Sequence, residues 1–534
     1  MIKKMSVLGL FGIMAFFLAA CGSKNNKNSN APGNEDDGIY LNVKTVSSLE
    51  KEISDACQIK VTRKINLDNY KSLVENIIEE YYTHPNAEEI KTLDNDTIKT
   101  SSYIDTPITK ATQSIAYYGE ALKRAISDAN EAGGGIIEIP ENKTIYTGAI
   151  KLLSNVYIDI PESSTIKFVR MKTNEYYPLE LTRFEGVECY NFSPFIYAYE
   201  VENIGIIGKG TLDGQADYFN WMPWKYGLFG EGNQGSTTTG DKGKLFKQGK
   251  DGVLLSERIY NDSNSTLRPN FIQPYKCNNV VIKGITIINS PMWEINPVLS
   301  ENVIVDGVTI NSKYFNNDGF DPECSKKCII RNSTITTGDD CISLKSGRDE
   351  DGRRVGKACE SIIIRDNKFE DGHGAITFGS DTAGDIRNVY AFNNELNSKD
   401  LWYPIRYKSS NQRGGTVENI YIKNMDINNA SKAIIHYDFR YDNEINGNYP
   451  PKIQNVYLSD IKTKGTISCA DVVNVLGFSY GTMASHYLKN IELNVSGNAY
   501  TIYGGKNGEN LITDFSKLGF NYKNVVINGV SYKN

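Results

Sequence analysis

Two adjacent aspartates, Asp339 and Asp340, occur in the stretch TTGDDCISLK, between a glycine and an apolar run. A Gly-Asp pair is common in turns, and that structural explanation requires no chemistry. Two crowded carboxylates repel each other, however, so one of them keeps its proton to a higher pH. A protonated carboxyl beside an ionised one is suited to general acid and base catalysis. The pair therefore predicts chemistry if the fold brings further polar groups beside it.

Other polar clusters follow at a regular interval. Asp318 lies in NNDGFDP, His373 in EDGHGAITFGSD, and Arg406 and Lys408 in YPIRYKSS. The separations from 318 to 339, 340 to 373 and 373 to 406 are 21, 33 and 33 residues. Each separation is about one coil of a solenoid, so these side chains are expected to stack on one face although they are distant in sequence.

A recurring phrase supports a solenoid. It appears as ENIGIIGKGTLDG, NNVVIKGITIINS, ENVIVDGVTINS and KCIIRNSTITTGDD, and again towards the C-terminus as ENIYIKNMDINNAS and KNVVINGVSYKN. Each unit reads as a short β-branched strand, a Gly/Asn/Asp turn and a second strand, which is typical of stacked parallel strands around a continuous core. A propeller would need antiparallel strands of longer period. We predict an all-β, single-stranded, right-handed parallel β-helix, with asparagines at matching turns stacked as a ladder.

The solenoid is predicted to occupy residues 106–534, after an N-terminal extension of unknown role and partly helical character at 36–105. Residues 117–130 carry apolar side chains at helical spacing before Gly133-Gly134-Gly135, a helix-terminating signal. This helix is expected to cap the exposed edge of the first coil. In the extension, apolar residues between Tyr70 and Tyr81 also have helical spacing, which predicts a second helix.

The first residues, MIKKMSVLGLFGIMAFFLAAC, predict an export signal at 1–20, with a charged start and a short apolar run. Leu18-Ala19-Ala20-Cys21 resembles a bacterial lipobox, in which the cysteine carries lipid; an ordinary signal peptide that contains a cysteine is the alternative. Residues 21–35 form a polar tether. We expect an exported protein anchored by lipid at Cys21 to a membrane of the bacterial cell envelope.

Composition excludes several partners. Loss of the predicted signal, which contains two lysines and no acidic residue, changes the formal net charge from −6 to −8, and this argues against nucleic acid. Nine cysteines leave disulfide pairing open. Four histidines and the lack of a His/Cys cluster predict no metal site and no cofactor. We expect a monomer.

Four short patterns around the polar clusters resemble the signatures of glycoside hydrolase family 28, the polygalacturonases. In chain order they are Asn316-Asn317-Asp318, Gly338-Asp339-Asp340, Gly372-His373-Gly374 and Arg406-Tyr407-Lys408. Asn317 stands where the family often has Thr. RFEGVECYN, GKGTLDGQ and INSPMWEINPV are similar to bacterial members, so the resemblance runs from about residue 110 to the C-terminus, and it adds Glu185 and Trp293 as candidate pocket residues.

The resemblance implies an inverting hydrolase of α-1,4-galacturonosidic bonds in pectin. Asp339 would be the general acid, Asp318 and Asp340 would hold the attacking water, and His373 would orient the acid or the substrate. Crowding is expected to raise the pKa of the acid, while the protons belong to the whole cluster. Arg406 and Lys408, two residues apart on a strand, suit the carboxylate of an acidic polysaccharide, galacturonan.

Asn316 and Asp381 complete the predicted substrate-binding residues. Asp381, in GSDTAGDIRNVY, stands where exo-acting relatives carry Glu in a Gly-Ser-Glu stretch. A long aromatic and Gly-rich segment between Gly214 and Arg268 breaks the coil rhythm, and we expect it to close one end of the groove and favour action from a chain end.

Several alternatives remain open from the sequence. The enzyme could be endo-acting, or it could hydrolyse a rhamnogalacturonan-type backbone. A pectic lyase would share the β-helix and eliminate rather than hydrolyse. A surface solenoid that only binds glycans would need none of the acid–base chemistry.

Overall fold

The computed structural model describes residues 40–533 except 42, 231, 262–264 and 399. The predicted signal peptide, Cys21 and the tether at 21–35 lie outside the described residues. No helix in the described part of the chain combines the length and the apolar character needed to cross a membrane.

Strands dominate the described residues, with seven α-helices and short 3-10 turns between them. The helices are α1 (Val43–Ala56), α2 (Ala87–Ile90), α3 (Asn95–Thr100), α4 (Gly119–Glu131), α5 (Pro223–Tyr226), α6 (Gly240–Lys250) and α7 (Asp349–Val355). The strands of the first half are β1 (Lys64–Asn66), β2 (Glu75–Thr83), β3 (Thr109–Tyr117), β4 (Gly135–Glu138), β5 (Thr144–Thr147), β6 (Ile150–Lys151), β7 (Val156–Ile160), β8 (Thr165–Phe168), β9 (Leu179–Phe184), β10 (Val187–Phe192), β11 (Ile196–Tyr199), β12 (Glu202–Gly208), β13 (Thr211–Asp213), β14 (Ile259–Tyr260) and β15 (Ile272–Tyr275). Those of the second half are β16 (Asn278–Lys283), β17 (Thr286–Ile288), β18 (Glu301–Asp306), β19 (Thr309–Ser312), β20 (Lys326–Arg331), β21 (Thr334–Thr337), β22 (Ile342–Leu344), β23 (Cys359–Arg365), β24 (Lys368–Asp371), β25 (Gly374–Gly379), β26 (Ile386–Leu396), β27 (Tyr403–Lys408), β28 (Thr416–Ile427), β29 (Ala433–Asp438), β30 (Lys452–Ile467), β31 (Asp471–Leu476), β32 (Thr482–Val495), β33 (Asn498–Tyr503), β34 (Phe520–Ile527) and β35 (Val530–Tyr532).

The strands stack in parallel on three faces of a right-handed β-helix, so the predicted fold class is confirmed. Face one follows β4, β7, β12, β16, β18, β20 and β23, and face two follows β5, β8, β13, β17, β19, β21 and β24. From β26 onward, long strands continue face one. Face three follows β22, β25, β27, β29, β31 and β33.

The core lies between these faces, because equivalent apolar residues of successive coils are in register. On face one, Val303, Cys328, Ile362, Val389 and Ile420 pair in turn, and all are buried. Alternate residues of each strand point inward, so the period-two pattern of the sequence becomes a continuous apolar column.

Asparagines form the predicted ladder at the turn before face one. Asn279 donates its amide to Asn203 Oδ1 at 2.9 Å and accepts from Asn302 Nδ2 at 3.1 Å. All three have left-handed backbone angles, with φ between 56° and 58°. Asparagine tolerates this conformation better than most residues, and its amide also links adjacent coils.

The predicted capping helix is confirmed as α4. Its apolar face, with Leu122, Ala125, Ile126 and Ala129, is buried in the core cluster at the N-terminal end of the solenoid. The chain leaves the helix through Gly133 and Gly134, both at positive φ. The helix therefore covers coil-end apolar surface that would otherwise face water.

The helix predicted between Tyr70 and Tyr81 is wrong. Residues 67–73 form a 3-10 turn and β2 pairs antiparallel with β3 along its whole length. Pairing with a partner strand along all of β2 outweighs local helical spacing, which short apolar stretches specify poorly. The extension is also joined to the solenoid, because β1 pairs with β4 and β3 meets β5.

Cys57, Cys189, Cys277, Cys324, Cys328, Cys341, Cys359 and Cys469 are all buried, and none of these described cysteines forms a disulfide. They therefore contribute to the structure as small apolar side chains.

We expect Asn279→Ala to lower the free energy of unfolding by about 1–3 kcal/mol, because alanine loses two amide hydrogen bonds and is strained at positive φ. Asn279→Gly relieves the strain but also loses the hydrogen bonds, so it should lower the free energy of unfolding by less than Asn279→Ala does. Urea unfolding followed by circular dichroism measures both. Equal stability of the alanine variant and the parent protein would contradict a stabilising ladder.

Candidate active site

The register of face three brings the predicted site residues together. Phe320, Ile342, Ile376 and Ile405 are aligned in successive coils. The residues two positions earlier form one row, which consists of Asp318, Asp340, Gly374 and Tyr403. The residues three positions later form another row, which consists of Glu323, Lys345, Gly379 and Lys408. Adjacent coils are about 4.8 Å apart, so residues at equivalent positions form rows of neighbouring side chains.

Asp340 lies between two cations. Its carboxylate accepts from Arg406 Nη1 at 3.0 Å and from Lys408 Nζ at 2.5 Å, and all three side chains are more than nine-tenths buried. Burial alone would raise the pKa of Asp340, but Lys408 and Arg406 outweigh it and lower the pKa below its usual value. Asp340 is therefore an ionised, fixed acceptor.

Glycine at position 374 makes this contact possible, because the coil of Gly374 lies between the coils of Asp340 and Arg406. A Cβ on Gly374 would lie 2.8 Å from Asp340 Oδ1 and 2.1 Å from Thr377 Oγ1. A Cβ on Gly379, beside Lys408 in its row, would lie 2.0 Å from the Lys408 carbonyl oxygen. Both positions therefore require glycine for steric reasons.

Asp318 and Asp321 share Lys345, a residue that the sequence analysis missed. Lys345 Nζ lies 3.2 Å from Asp318 Oδ2 and 3.4 Å from Asp321 Oδ2, and it also donates to Ser343 Oγ at 2.7 Å. Burial and mutual repulsion raise the pKa of Asp318 well above its usual value, while burial, opposed by Lys345, raises the pKa of Asp321 to about 7. This pair shares its protons. Ser343 on β22 and Lys345, which follows the last residue of β22, alternate with apolar residues, and this alternation was the signal that the two lie on the same side of the chain.

Asp339 is paired with His373. His373 Nδ1 lies 3.0 Å from Asp339 Oδ1, and its backbone N–H donates to the Asp339 carbonyl at 2.8 Å. The imidazole also stacks on Trp402 at 3.7 Å. The Asp339 side chain is 22% exposed, whereas Asp318 and Asp340 are 4% and 0% exposed. Asp339 is thus the carboxyl of the three that an incoming ligand can reach.

The expectation that crowding raises the pKa of Asp339 is wrong. Burial acts in that direction, but the neighbouring His373, together with Lys408 and Arg406, brings the pKa of Asp339 far below its usual value. Of the four aspartates between residues 318 and 340, Asp318 and Asp321 are the two with raised pKa, because both are buried and they share one lysine. Asp339 and His373 form one hydrogen-bonded pair.

Asn316 and Asn317 form the turn before Asp318. Asn317 is fully buried, accepts from the Tyr314 N–H at 2.7 Å, and donates to the carbonyls of Ser290 and Met292 at 3.0 and 2.9 Å. Asn316 accepts from Arg268 Nη2 at 2.7 Å. Asn317 is therefore a structural anchor.

Asp381 lies in a buried ionic network. It is 3.4 Å from Arg348 Nη1 and 3.5 Å from Arg413 Nε, and both arginines also bind Glu444. Glu444 and the arginines were not predicted, because Glu444 is 63 residues from Asp381 in sequence.

Two candidates taken from the resemblance contact cations. Glu185 is ion-paired with Lys242, and although burial raises its pKa, Lys242 and Lys225 bring the value down to about 2. Trp293 lies under Lys345, with 4.3 Å from Nζ to the ring centroid. Tyr441, also not predicted, faces Lys408 and Arg406 with its ring, at 5.1 and 5.7 Å.

The aromatic segment between Gly214 and Arg268 forms α5, α6 and β14 rather than an open loop. Trp221 is fully buried in the main core cluster, so it cannot stack on a sugar. Tyr218 and Tyr314 from neighbouring coils do line a cavity of about 790 Å³ that opens onto His373 and Trp402. A cleft of this size is in the range of ligand sites.

A parallel β-helix with paired carboxyls, an imidazole and buried cations on one face defines a carbohydrate-active enzyme. The family model for glycosyl hydrolases family 28 matches residues 232–509, just over half of the chain. The crystal structure of a hyperthermoactive exopolygalacturonase from Thermotoga maritima is 32% identical, with a TM-score of 0.72, and the match covers 91% of this chain and 97% of that one. The chain belongs to glycosyl hydrolases family 28.

Curated relatives match over shorter stretches. A probable polygalacturonase of Vitis vinifera is 30% identical over 240 residues, covering 44% of this chain and 48% of the relative. An exo-poly-alpha-D-galacturonosidase of Dickeya chrysanthemi is 28% identical over 264 residues, covering 47% and 42%. The chain thus spans about half the length of these relatives.

The raised pKa of Asp321 predicts a stability effect that depends on pH. The folded protein binds an extra proton between the unfolded pKa, near 3.9, and about 7, so stability falls as the pH rises through this range. Asp321→Asn removes this cost, and we expect it to raise the free energy of unfolding on the order of 2–4 kcal/mol at pH 8 and to leave it unchanged at pH 4. Urea unfolding at both pH values is the measurement.

Asp351→Asn is the matched control. Burial opposes ionisation of Asp351, but hydrogen bonds from the Glu188 N–H and Arg258 hold its pKa below the usual value. Loss of the Asp351 carboxylate should therefore destabilise the protein at neutral pH. The stability difference between Asp351→Asn and the parent protein should shrink as the pH falls. A stability gap for Asp321→Asn that is the same at pH 4 and pH 8 would show that the fold does not raise the pKa of Asp321.

Proposed function

We propose that this protein hydrolyses α-1,4-galacturonosidic bonds of polygalacturonate with inversion and acts from a chain end. The observation that carries the proposal is the reachable Asp339–His373 pair beside two buried carboxyls of opposite proton affinity. Such a set can supply a proton to a leaving oxygen and accept one from water. The exopolygalacturonase of Thermotoga maritima, similar over nearly its whole length, supports the substrate class and the exo mode.

In the proposed reaction, the Asp339–His373 pair delivers a proton to the glycosidic oxygen. Asp340, kept ionised by Arg406 and Lys408, orients the attacking water, and Asp318 takes the proton that the water releases. An ionised carboxylate with a raised pKa is a strong proton acceptor, which suits Asp318 to that step. Lys345 stabilises the ionised form of Asp318 before the reaction.

The proposed substrate contact uses Arg406. Its Nε is buried and has no hydrogen-bond partner among the described residues, while its Nη1 binds Asp340. A uronate carboxylate would satisfy this donor, since guanidinium binds carboxylates through several N–H groups. Lys408 adds positive charge beside it. The substrate-binding roles of Asn316 and Asp381 stay predictions. Asn316 would act beside Asp318, and Asp381 would act through the arginine network.

In the test, long polygalacturonate is incubated with protein that lacks the predicted signal peptide. We expect monogalacturonate as the first product, with the opposite anomeric configuration in NMR spectra. Asp339→Asn should reduce kcat by about a thousand-fold without a change in Tm, because it breaks the Asp339–His373 pair that delivers the proton.

Each alternative gives a different product. A ladder of intermediate oligomers from the start would contradict chain-end action, and retained configuration would contradict inversion. Unsaturated products that absorb in the ultraviolet would identify a lyase. Full activity of Asp339→Asn would remove Asp339 from the proposed chemistry.

We also propose that the chain is exported and anchored through lipid at Cys21, as the signal-like residues 1–20 and the following tether suggest. In a bacterial host, Cys21→Ala should move the protein from the membrane fraction to the soluble exported fraction, because a signal peptide without its lipidated cysteine leaves no anchor. Detergent extraction followed by blotting measures this. Recovery of the unchanged protein in the soluble fraction would argue against lipidation.

A further inference from the structure

The hairpin of the N-terminal extension reaches the active-site face. Residues 84–108 connect β2 to β3, and the hairpin is held against the aromatic segment that follows β13. The Asn220 side chain accepts from the Tyr82 N–H at 3.0 Å and donates to the Tyr82 carbonyl at 3.1 Å. Tyr218 donates its hydroxyl to the Leu93 carbonyl at 3.3 Å.

Packing keeps this tip in place. Ile90 and Ile98, from α2 and α3, are fully buried in the main core cluster. His84 stacks on Phe219 with 5.8 Å between ring centroids. Fully buried apolar side chains and paired backbone groups define one position for the backbone of the tip, and with it the points from which its exposed side chains project.

Residues 91–94 form one wall of the cavity that opens onto His373. The opposite side is lined by Lys313, Tyr314, Asp371 and Trp402, with Tyr218 beside the tip. The N-terminal extension thus borders the same 790 Å³ space as His373, the partner of Asp339, although it is more than 200 residues away in sequence.

The cavity is lined by two lysines and three acids, and the lysine of the extension is the one in a weak surface pair. Among its acids, Asp94 accepts from the N–H and hydroxyl of Thr97 at 2.7 and 2.8 Å, and Asp371 accepts from Lys313 at 2.7 Å; Asp400 is exposed. Lys91 forms an ion pair with the exposed Glu88, at 2.9 Å and with 45% and 91% of the two side chains exposed, and no other ion pair of Lys91 is seen among the described residues. An exposed pair of this kind contributes little, so exchange of Glu88 for a ligand carboxylate costs little.

We propose that the tip of the extension is part of the substrate-binding cleft, and that Lys91 binds the carboxylate of a galacturonate unit on the His373 side of the scissile bond. The proposal rests on the proposed function and assigns a role to the extension. Lys91 is a positioning residue: it lies outside the reacting groups and holds the chain that they cleave.

The experiment compares charge reversal at two lysines with the same local geometry. Lys91→Glu places a negative charge at the cavity. Lys123→Glu makes the same change on α4, where Lys123 pairs with Glu120 three residues before it, as Lys91 pairs with Glu88. Steady-state kinetics on galacturonate oligomers are measured for the mature protein, and oligomer binding is measured by calorimetry in the Asp339→Asn background.

We expect Lys91→Glu to raise KM and the dissociation constant by about five-fold or more, with kcat within about two-fold of the parent. Lys91→Arg should retain the parent values because it keeps the charge, and Lys123→Glu should have no effect. All variants should share one Tm.

Equal effects of Lys91→Glu and Lys123→Glu, or a loss confined to kcat, would overturn the inference while leaving hydrolysis intact. If the parent protein neither cleaves nor binds galacturonate oligomers, the proposed function fails, and this inference fails with it. If it binds them without cleavage and Lys91→Glu weakens that binding, the cleft assignment stands although the reaction is different.

Discussion

The in-register stacking of face three is the constraint on which the site depends. Each coil advances by about one strand spacing, so a polar residue on one coil can contact residues only one or two coils away. Asp340 contacts Arg406 and Lys408 because Gly374 and Gly379, in the coil between, have no side chains. A single shift in register would move these groups to other rows and leave buried charges unpaired.

The same rows divide the carboxyls into two electrostatic environments. Asp340 has two cations and no competing acid in direct contact, so it stays ionised. Asp318 and Asp321 share one lysine, so their pKa values rise. Asp339 stands apart, 22% exposed and hydrogen-bonded to His373. Acid–base chemistry needs carboxyls with different proton affinities, and here the difference comes from how many cations each row supplies.

The cleft is built from segments far apart in sequence. The solenoid supplies a regular wall, while the segment after β13 and the extension hairpin supply irregular rims that are hydrogen-bonded to each other. Regular coils alone would leave an open groove. The rims distinguish this chain's cavity from a bare β-helix surface, and the hairpin brings both Lys91 and Asp94 to it.

The sequence by itself determined the β-helix, the asparagine ladder, the capping helix and the set of polar clusters, because these depend on period and on local chemistry. It could not show that β2 pairs with β3, that Trp221 is buried, or that Lys345 lies between Asp318 and Asp321, since each depends on a partner distant in the chain. The distribution of protons was likewise decided only by the tertiary structure. A carboxyl's pKa depends on the burial and the charges around it, and those neighbours are set by which coils stack together.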